Sequence, residues 1–292
     1  MKVGIKAGRL GFTLIELLVV MSIISLLMAI TLPAFNMVRR QARAIKSMGN
    51  MKQITSTMNL FADDNNDRYP GSVATIGAGD TWNWTDATKL TGNRHRSPQL
   101  HRAMSEYLRR YISDAGIMYC PNIPHKYEFL QQAWDAGDDW DNPLNEITAD
   151  PVGGSYCFYW NYRGYIGGNR VVFRGPEGPA SGGRRYSKLL VTDYFGYDHW
   201  RNPKSYSSCE HFEGADIVEE TTLLSSFWYR RSPPENKPEI SLKAGYTDGH
   251  VESYSTSNVI PMRVSISADG SIPYPDGIAS PGIFYLPGSA LH

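Results

Sequence analysis

The sequence lacks a surplus of charge of either sign. Lysine plus arginine number 29 and aspartate plus glutamate also number 29, so no bulk field draws the chain toward nucleic acid or an acidic surface. Cysteine is scarce: Cys120, Cys157 and Cys209 stand alone, in no CxxC or other metal-ligand spacing, which argues against a zinc site. In an oxidising compartment three thiols allow one disulfide and one spare, with Cys120 and Cys157 as the candidate pair. Three separate thiols are the alternative, and spacing does not decide connectivity. The familiar catalytic signatures are missing too: no GxSxG elbow, no Walker loop, no HExxH helix, no GxGxxG behind a strand. The histidines are scattered; His199 beside Asp198 and His211 between Glu210 and Glu213 are neighbours of the kind chance supplies. The expectation is a protein that is not an enzyme and carries no cofactor.

Only 20% of the residues are charged, whereas glycine (27), tyrosine (18) and proline (18) are plentiful. That balance suits a loop-rich, partly β-structured domain outside the cytoplasm better than a helical cytosolic enzyme. The length of 292 residues is enough for one large domain or two small ones, each with a buried core.

The first sixty residues carry most of the information. Lys2, Lys6 and Arg9 form a short basic leader without an acid, and from Leu17 to Met37 every side chain is uncharged. At about 1.5 Å per helical residue that run approaches the thickness of a bilayer core. The leader stays cytoplasmic under the positive-inside rule, although Arg39, Arg40 and Arg43 on the far flank weaken the asymmetry. A secretory signal peptide would need a small-residue cleavage site after the apolar run, and no A-x-A stands there. A plain signal anchor would leave Glu16 unexplained. A cut between Gly11 and Phe12 would make Glu16 the fifth residue of the mature chain. Its carboxylate would then have a cationic α-amine as partner, on its own chain or a neighbour's, and would act as a register device for assembly. The bland alternative is a carboxylate snorkelling to the headgroups.

The segment GFTLIELLVV behind a basic leader resembles the signal of type IV prepilins and type II secretion pseudopilins. The resemblance implies cleavage after Gly11 by a prepilin peptidase, methylation of the Phe12 amine, and assembly through a helix that uses Glu16 and Pro33. A helix-interrupting proline is common at the position of Pro33 in these proteins, where it marks a locally extended segment in related filaments. The implied partners are the peptidase, identical or related pilin subunits, an inner-membrane assembly platform and the lipid bilayer, with no nucleic acid. The implied location is the inner membrane, crossed once, with the head in the periplasm or at the cell exterior.

Beyond the membrane, Ile45, Met48, Met51, Ile54, Met58 and Phe61 recur every three or four residues and predict an amphipathic continuation whose stripe packs on a globular head. The helix from Phe12 to Phe61 would span on the order of 75 Å. Residues 63–67 (DDNND) and Pro70 predict its stop; a calcium loop there is the sharper alternative. The expected organisation is a leader at 1–11, a transmembrane and polymerisation helix at 12–38, its amphipathic extension at 39–62 and a head at 63–292. The fold class is α+β: a long N-terminal helix packed on a small antiparallel sheet, as in pilins.

Within the head, Pro98–Tyr111 reads as a short amphipathic helix and Met118–Asn122 as a strand end with a turn. Strands are predicted at Ser155–Tyr162, Val171–Arg174, Lys188–Asp193, Ser226–Arg230 and Ala244–Ser255, separated by connections at Gly164–Gly168, Gly175–Gly183 and Arg231–Pro238. Patches such as MYCPN, GGSYCFYW, LLVTDYF and YTDGHVESY resemble prepilin-type proteins of planctomycetes and verrucomicrobia. Those carry a DGH motif, often with a histidine ten residues before its aspartate; here Asp248, Gly249 and His250 match, but the upstream residue is Pro238. On the residues alone Asp248-Gly249 predicts a hairpin turn, with a metal or ligand site at Asp248 and His250 as the alternative. Trp82, Trp84, Trp134, Trp140 and Trp160, with the acidic run around Asp135–Asp141, suggest a second function: an aromatic platform for polysaccharide on a membrane-anchored binding module.

Overall fold

The computed structural model describes residues 13–76, 83–84, 87–90, 103–121, 131, 134–135, 154–166, 171–182, 185–197, 241–263 and 283–291. The chain divides into two compact units, Met1–Ala42 and Arg43–His292. One helix, α1 (Leu14–Asp64), supplies the described part of the first unit and opens the second. It runs through Pro33 without a break in helical assignment, so the extended segment implied there by resemblance is absent from this isolated chain. Tolerance of the proline is consistent with an apolar helix whose neighbouring carbonyls can adjust locally.

In the second unit, α1 is amphipathic along a different line from the one its apolar residues suggest. Met51, Ile54, Met58 and Ala62 are fully buried, as expected, but Ile45 is 63% exposed and the buried face begins at the polar residues Ser47 and Asn50. The reason is specific hydrogen bonding. Ser47 Oγ lies 2.9 Å from the Tyr156 hydroxyl, and Asn50 Nδ2 donates to the Tyr119 carbonyl at 3.1 Å. The helix ends where predicted, in a turn at 65–67 where Asn66 and Asp67 take φ of 57° and 58°. Such left-handed backbone is available to Asn and Asp at modest cost.

Among the described residues the head contains, besides α1, the short helix α2 (Met104–Leu108), 3-10 turns at Ala115–Met118, Thr256–Asn258 and Gly288–Leu291, and eleven short strands. Strands β1 (Thr75–Ile76) and β2 (Asn83–Trp84) form a two-stranded pair. Strands β3 (Tyr156–Phe158), β6 (Leu189–Asp193), β8 (Ser241–Tyr246) and β9 (Val251–Ser255) form a four-stranded sheet in the order β3-β6-β8-β9. Strands β4 (Arg163–Ile166), β5 (Val171–Arg174), β7 (Gly196–Tyr197), β10 (Val259–Arg263) and β11 (Ile283–Pro287) form a five-stranded sheet in the order β5-β4-β10-β11-β7. Every strand pair is antiparallel. The α+β expectation holds, with more sheet than the sequence predicts.

Two cores follow from the period-2 alternation of the four-stranded sheet. Tyr156, Phe158 and Val191 join Met51, Ile54 and Met58 of α1 in one cluster. Cys157, Leu242, Ala244 and Tyr246 join Phe173, Met262 and Phe284 in the other. The four-stranded sheet is therefore the middle layer between the inner half of α1 and the five-stranded sheet, a layered solution to burying both faces. Gly245 permits the close approach of α1: a Cβ there would lie 2.8 Å from Thr55 Cγ2 and 3.0 Å from Val191 Cγ1.

Several local expectations need correction. Arg163–Ile166 is a strand, β4, instead of part of a glycine connector, because both β5 and β10 pair with it. Met118–Asn122, expected as a strand end with a turn, begins instead at the end of a 3-10 turn (Ala115–Met118) capped by Asp114 accepting from the Gly116 amide, and residues 119–121 are not in a strand. The helix predicted at Pro98–Tyr111 is observed as α2 alone: residues 98–102 lie outside the described set, and residues 109–111 form a turn instead of continuing the helix. The strand predicted at Ser226–Arg230 lies outside it as well.

The chain returns to the end of α1 at a tightly packed corner. Asn161, with φ of 51°, donates to the carbonyls of Tyr69 and Pro70 at 3.0 and 2.8 Å. The Tyr69 amide donates to the Glu177 carbonyl. A Cβ on Gly175 would fall 1.5 Å from the Tyr159 carbonyl oxygen, whereas one on Gly49 would meet nothing within 4 Å. Gly175→Ala is therefore expected to cost about 3 kcal/mol or more through forced backbone movement. Gly49→Ala is expected to stabilise by about 0.5–1 kcal/mol by helix propensity. Thermal melts of the two full-length variants in detergent should bracket the parent, and a G175A melt equal to the parent would contradict this packing.

Candidate functional site

The N-terminal end of α1 is built around Thr13 and Glu16. The Thr13 amide donates to Glu16 Oε2 at 2.8 Å, the Thr13 hydroxyl donates to the same oxygen at 2.9 Å, and the Glu16 amide donates back to Thr13 Oγ1 at 3.3 Å. This is a capping box, in which two otherwise unpaired amides of the first turn are satisfied reciprocally. The carboxylate also sits at the positive end of the helix dipole. Glu16 thus has partners within its own chain. The signal for it is Thr13-Leu14-Ile15-Glu16 before an apolar run, which is the T-x-x-E pattern. Gly11 and Phe12 lie outside the described residues.

Behind the cap, every described residue from Thr13 to Arg43 is exposed. The helix contains a stretch long and apolar enough to cross a membrane, and none of that stretch is buried. Its few hydroxyls are already satisfied by the preceding turn: Ser22 donates to the Val19 carbonyl, Ser25 to Met21 and Thr31 to Met28. No unpaired side-chain hydroxyl is therefore carried by those three residues into lipid, where it would be costly.

The second candidate, Asp248 and His250, is brought together in the β8–β9 hairpin, whose register pairs Gly245 with Val251. Gly249 has φ of 82° and donates to the Tyr246 carbonyl at 2.9 Å. Asp248 Oδ1 accepts from the His250 amide at 3.1 Å and also contacts the imidazole Nδ1. Burial nudges the Asp248 carboxyl upward, but the hydrogen bonds and charge of His250, with help from Lys188, outweigh it and leave the group below the ordinary carboxylate range. The His250 ring stacks on Tyr246 with centroids 4.4 Å apart and 7° between planes. Tyr246 in turn donates to Glu252 at 2.6 Å, so both the face and the hydroxyl of its ring are occupied. The arrangement is a braced turn, and Asn59 of α1 ties it down by donating to the Thr247 carbonyl at 2.9 Å.

Among the described residues, no group of three or more His, Cys, Asp or Glu side chains is placed to hold a metal ion. Around the helix stop, Asp64 accepts from the Tyr111 hydroxyl at 2.6 Å and Asn65 donates to the Phe61 carbonyl at 2.7 Å. Cys120 and Cys157 are both buried and are not joined by a disulfide. They belong to different cores, because Cys157 points to the face of β3 opposite Tyr156 and Phe158; the disulfide between them is not formed. The aromatic platform also needs correction. Trp134 and Trp160 are fully buried, donating to the Ile112 carbonyl and the Tyr107 hydroxyl respectively, and they pack the core instead of facing a ligand. The side chains of Trp82, Trp84 and Trp140, and the histidine neighbourhoods at 199 and 211, lie outside the described residues.

The capped first turn and the exposed apolar residues behind it lie in a segment that one family model recognises. Residues 6–32 match the family model of the prokaryotic N-terminal methylation motif, which is consistent with a prepilin-like or pseudopilin family and includes Gly11, Phe12 and Glu16. The match ends before Pro33 and does not extend to the DGH turn. No curated protein and no solved structure matches the chain.

If Asp248 serves the turn, its neutral isostere should do the same work. Asp248→Asn is expected to shift stability by less than about 0.5 kcal/mol, while Asp248→Ala and Gly249→Ala each cost about 1 kcal/mol. Urea unfolding midpoints give the comparison. Equal loss in D248N and D248A would assign the carboxylate's charge a role of its own.

Proposed function

We propose that this protein is a structural subunit of a type II secretion pseudopilus or a type IV pilus-like filament. A prepilin peptidase cuts it between Gly11 and Phe12 and methylates the new amine, and the mature subunit assembles through α1. Before assembly the protein crosses the inner membrane once, with the head in the periplasm. The partners are the peptidase, an assembly platform in the membrane and sister subunits.

The observation that carries this reading is the uncovered apolar half of α1, most of which lies within the methylation motif at residues 6–32. Leu14, Leu18, Leu26, Ile30 and Leu32 are each more than 60% exposed. Each such side chain gains about 1.5–3 kcal/mol on burial, so the segment must be covered by lipid first and by other helices later. Glu16 supplies what a purely apolar span cannot: one charged group at a defined height. Its exchange from the Thr13 cap to the amine of an incoming subunit would set the stagger between neighbours.

Intact mass and N-terminal sequencing of the protein recovered from host membranes should show a chain starting at N-methylated Phe12. A chain starting at Met1 would leave only a signal anchor. Glu16→Ala is expected to leave membrane insertion unchanged while reducing incorporation into filaments at least tenfold, read by shearing and immunoblotting. Normal incorporation of E16A would remove the register role.

A further inference from the structure

The β8–β9 turn carries a titratable pair whose charge neither the fold nor the filament reading uses. The side chains of His250 and Asp248 are 52% and 54% exposed. Asp248 Oδ1 meets the imidazole Nδ1 and also accepts from the His250 amide at 3.1 Å. The imidazole lies over the ring of Tyr246, 7° from parallel and 4.4 Å away, and Tyr246 is itself buried. A carboxylate at one nitrogen and an aromatic face beneath therefore hold one ring, and both contacts strengthen in the same sense with its charge. Protonated, it forms a charge-assisted bond to the carboxylate and a cation–π contact with the phenol ring; neutral, it keeps an ordinary hydrogen bond and the stack.

The surroundings leave histidine as the group that responds between about pH 5 and 8, the range in which its side chain changes charge by ordinary chemistry. The charged and titratable groups that face the pair are Lys188 from the segment before β6, Tyr246 from β8 and Glu252 from β9. Burial nudges Asp248 upward, but its bonds to His250 and the charges of His250 and Lys188 keep it below the ordinary carboxylate range, so it remains an anion there. Burial and the bond to Glu252 push the Tyr246 hydroxyl up, so it keeps its proton. That hydroxyl donates to Glu252 at 2.6 Å and lies 2.9 Å from Ser289 Oγ. The turn is also tied to the rest of the head. The Thr247 amide donates to the Lys188 carbonyl at 2.9 Å, and Asn59 of α1 donates to the Thr247 carbonyl at 2.9 Å.

We infer that His250 makes the β8–β9 turn a pH-responsive clasp on the last turns of α1. With the imidazole protonated, its ion pair and cation–π contact close the turn and hold the Thr247 carbonyl against Asn59. With the imidazole neutral, the turn opens more often. The closed turn is thus the state that binds the proton better, and by linkage its stability falls as pH rises through the imidazole range. The residues all belong to the head, so the clasp operates whether or not the chain assembles into a filament.

The test is amide hydrogen exchange of the full-length chain in detergent at about pH 5.5 and about pH 8, with rates referred to those of an unstructured peptide at the same pH. In the wild type, protection of the Tyr246, Thr247 and Gly249 amides should be about threefold higher at the lower pH, the scale of an exposed ion pair. His250→Phe keeps a ring for the stack but does not titrate, and should show equal protection at both. Asp248→Asn keeps the turn, and should match the wild type at about pH 8 while losing most of the rise at the lower pH. Equal protection of the wild type at the two pH values would overturn the clasp, as would a full rise in H250F or in D248N. A wild-type rise shared equally by amides throughout the head would assign it to global stability and overturn the clasp as well.

Discussion

Apolar side chains on the first half of α1 have no cover within their own chain: from Thr13 to Arg43 every described residue is exposed. Summed over the leucines, isoleucines, valines and methionines of that segment, the free energy at stake on burial is on the order of tens of kcal/mol. It exceeds the net stability of an ordinary domain, about 5–15 kcal/mol. Such a segment cannot be a passive appendage in water. Either lipid or other helices must surround it, and the polar groups of the helix have to be compatible with such surroundings.

Compatibility shows in how the polar groups of the helix are handled. Ser22, Ser25 and Thr31 turn their hydroxyls back onto carbonyls of the preceding turn, and Glu16 is folded into the cap with Thr13. Glu16 and these three hydroxyls thus have local partners and impose no particular neighbour. Glu16 differs from the hydroxyls in one respect: its bonds are to the chain end, where a new amine would appear after cleavage. A carboxylate stored in a cap of about 1 kcal/mol can be exchanged for a charge-assisted bond, typically the stronger of the two. In the proposed filament, capping and register would be successive uses of one side chain.

Features that depend only on nearby residues are legible in the amino-acid order. The apolar span, the helix stop at residues 63–67, the Asp248-Gly249 hairpin and strand β5 at Val171–Arg174 each follow from composition, periodicity or turn chemistry within a few residues. Features that depend on distant partners are not. Strand β4 reads as a connector because Gly164 and Gly168 suggest one, yet β10, about a hundred residues later, pairs with it. Strand β10 contains Pro261, which argues against a central strand. The fold resolves this by register: β4 reaches only Met262 and Arg263, so at Pro261 the strand has β11 as its one described neighbour. At the candidate site, Gly11, Phe12 and Glu16 are readable as a motif, and the Thr13 cap is encoded by the same few residues although the motif draws attention away from it. The tryptophans mislead because residue type says nothing of burial; Trp134 and Trp160 satisfy their indole N–H groups inside the core.

The two halves of α1 obey different rules of substitution, and the difference follows from what covers them. In the first half one apolar side chain does nearly the work of another, because lipid is indifferent to shape. In the second half Met51, Ile54 and Met58 fill fixed positions against Tyr156, Phe158 and Val191, Thr55 lies against Gly245, and Ser47 and Asn50 meet named hydrogen-bond partners. A shift of α1 by one residue would move these groups by about 100° around the helix and break every one of those contacts at once. The head therefore fixes the register of its own helix strictly, whereas the exposed apolar half carries no such constraint. In the proposed filament a second register, between subunits, would have to be chosen on that half, and its first turn presents a single carboxylate for the purpose.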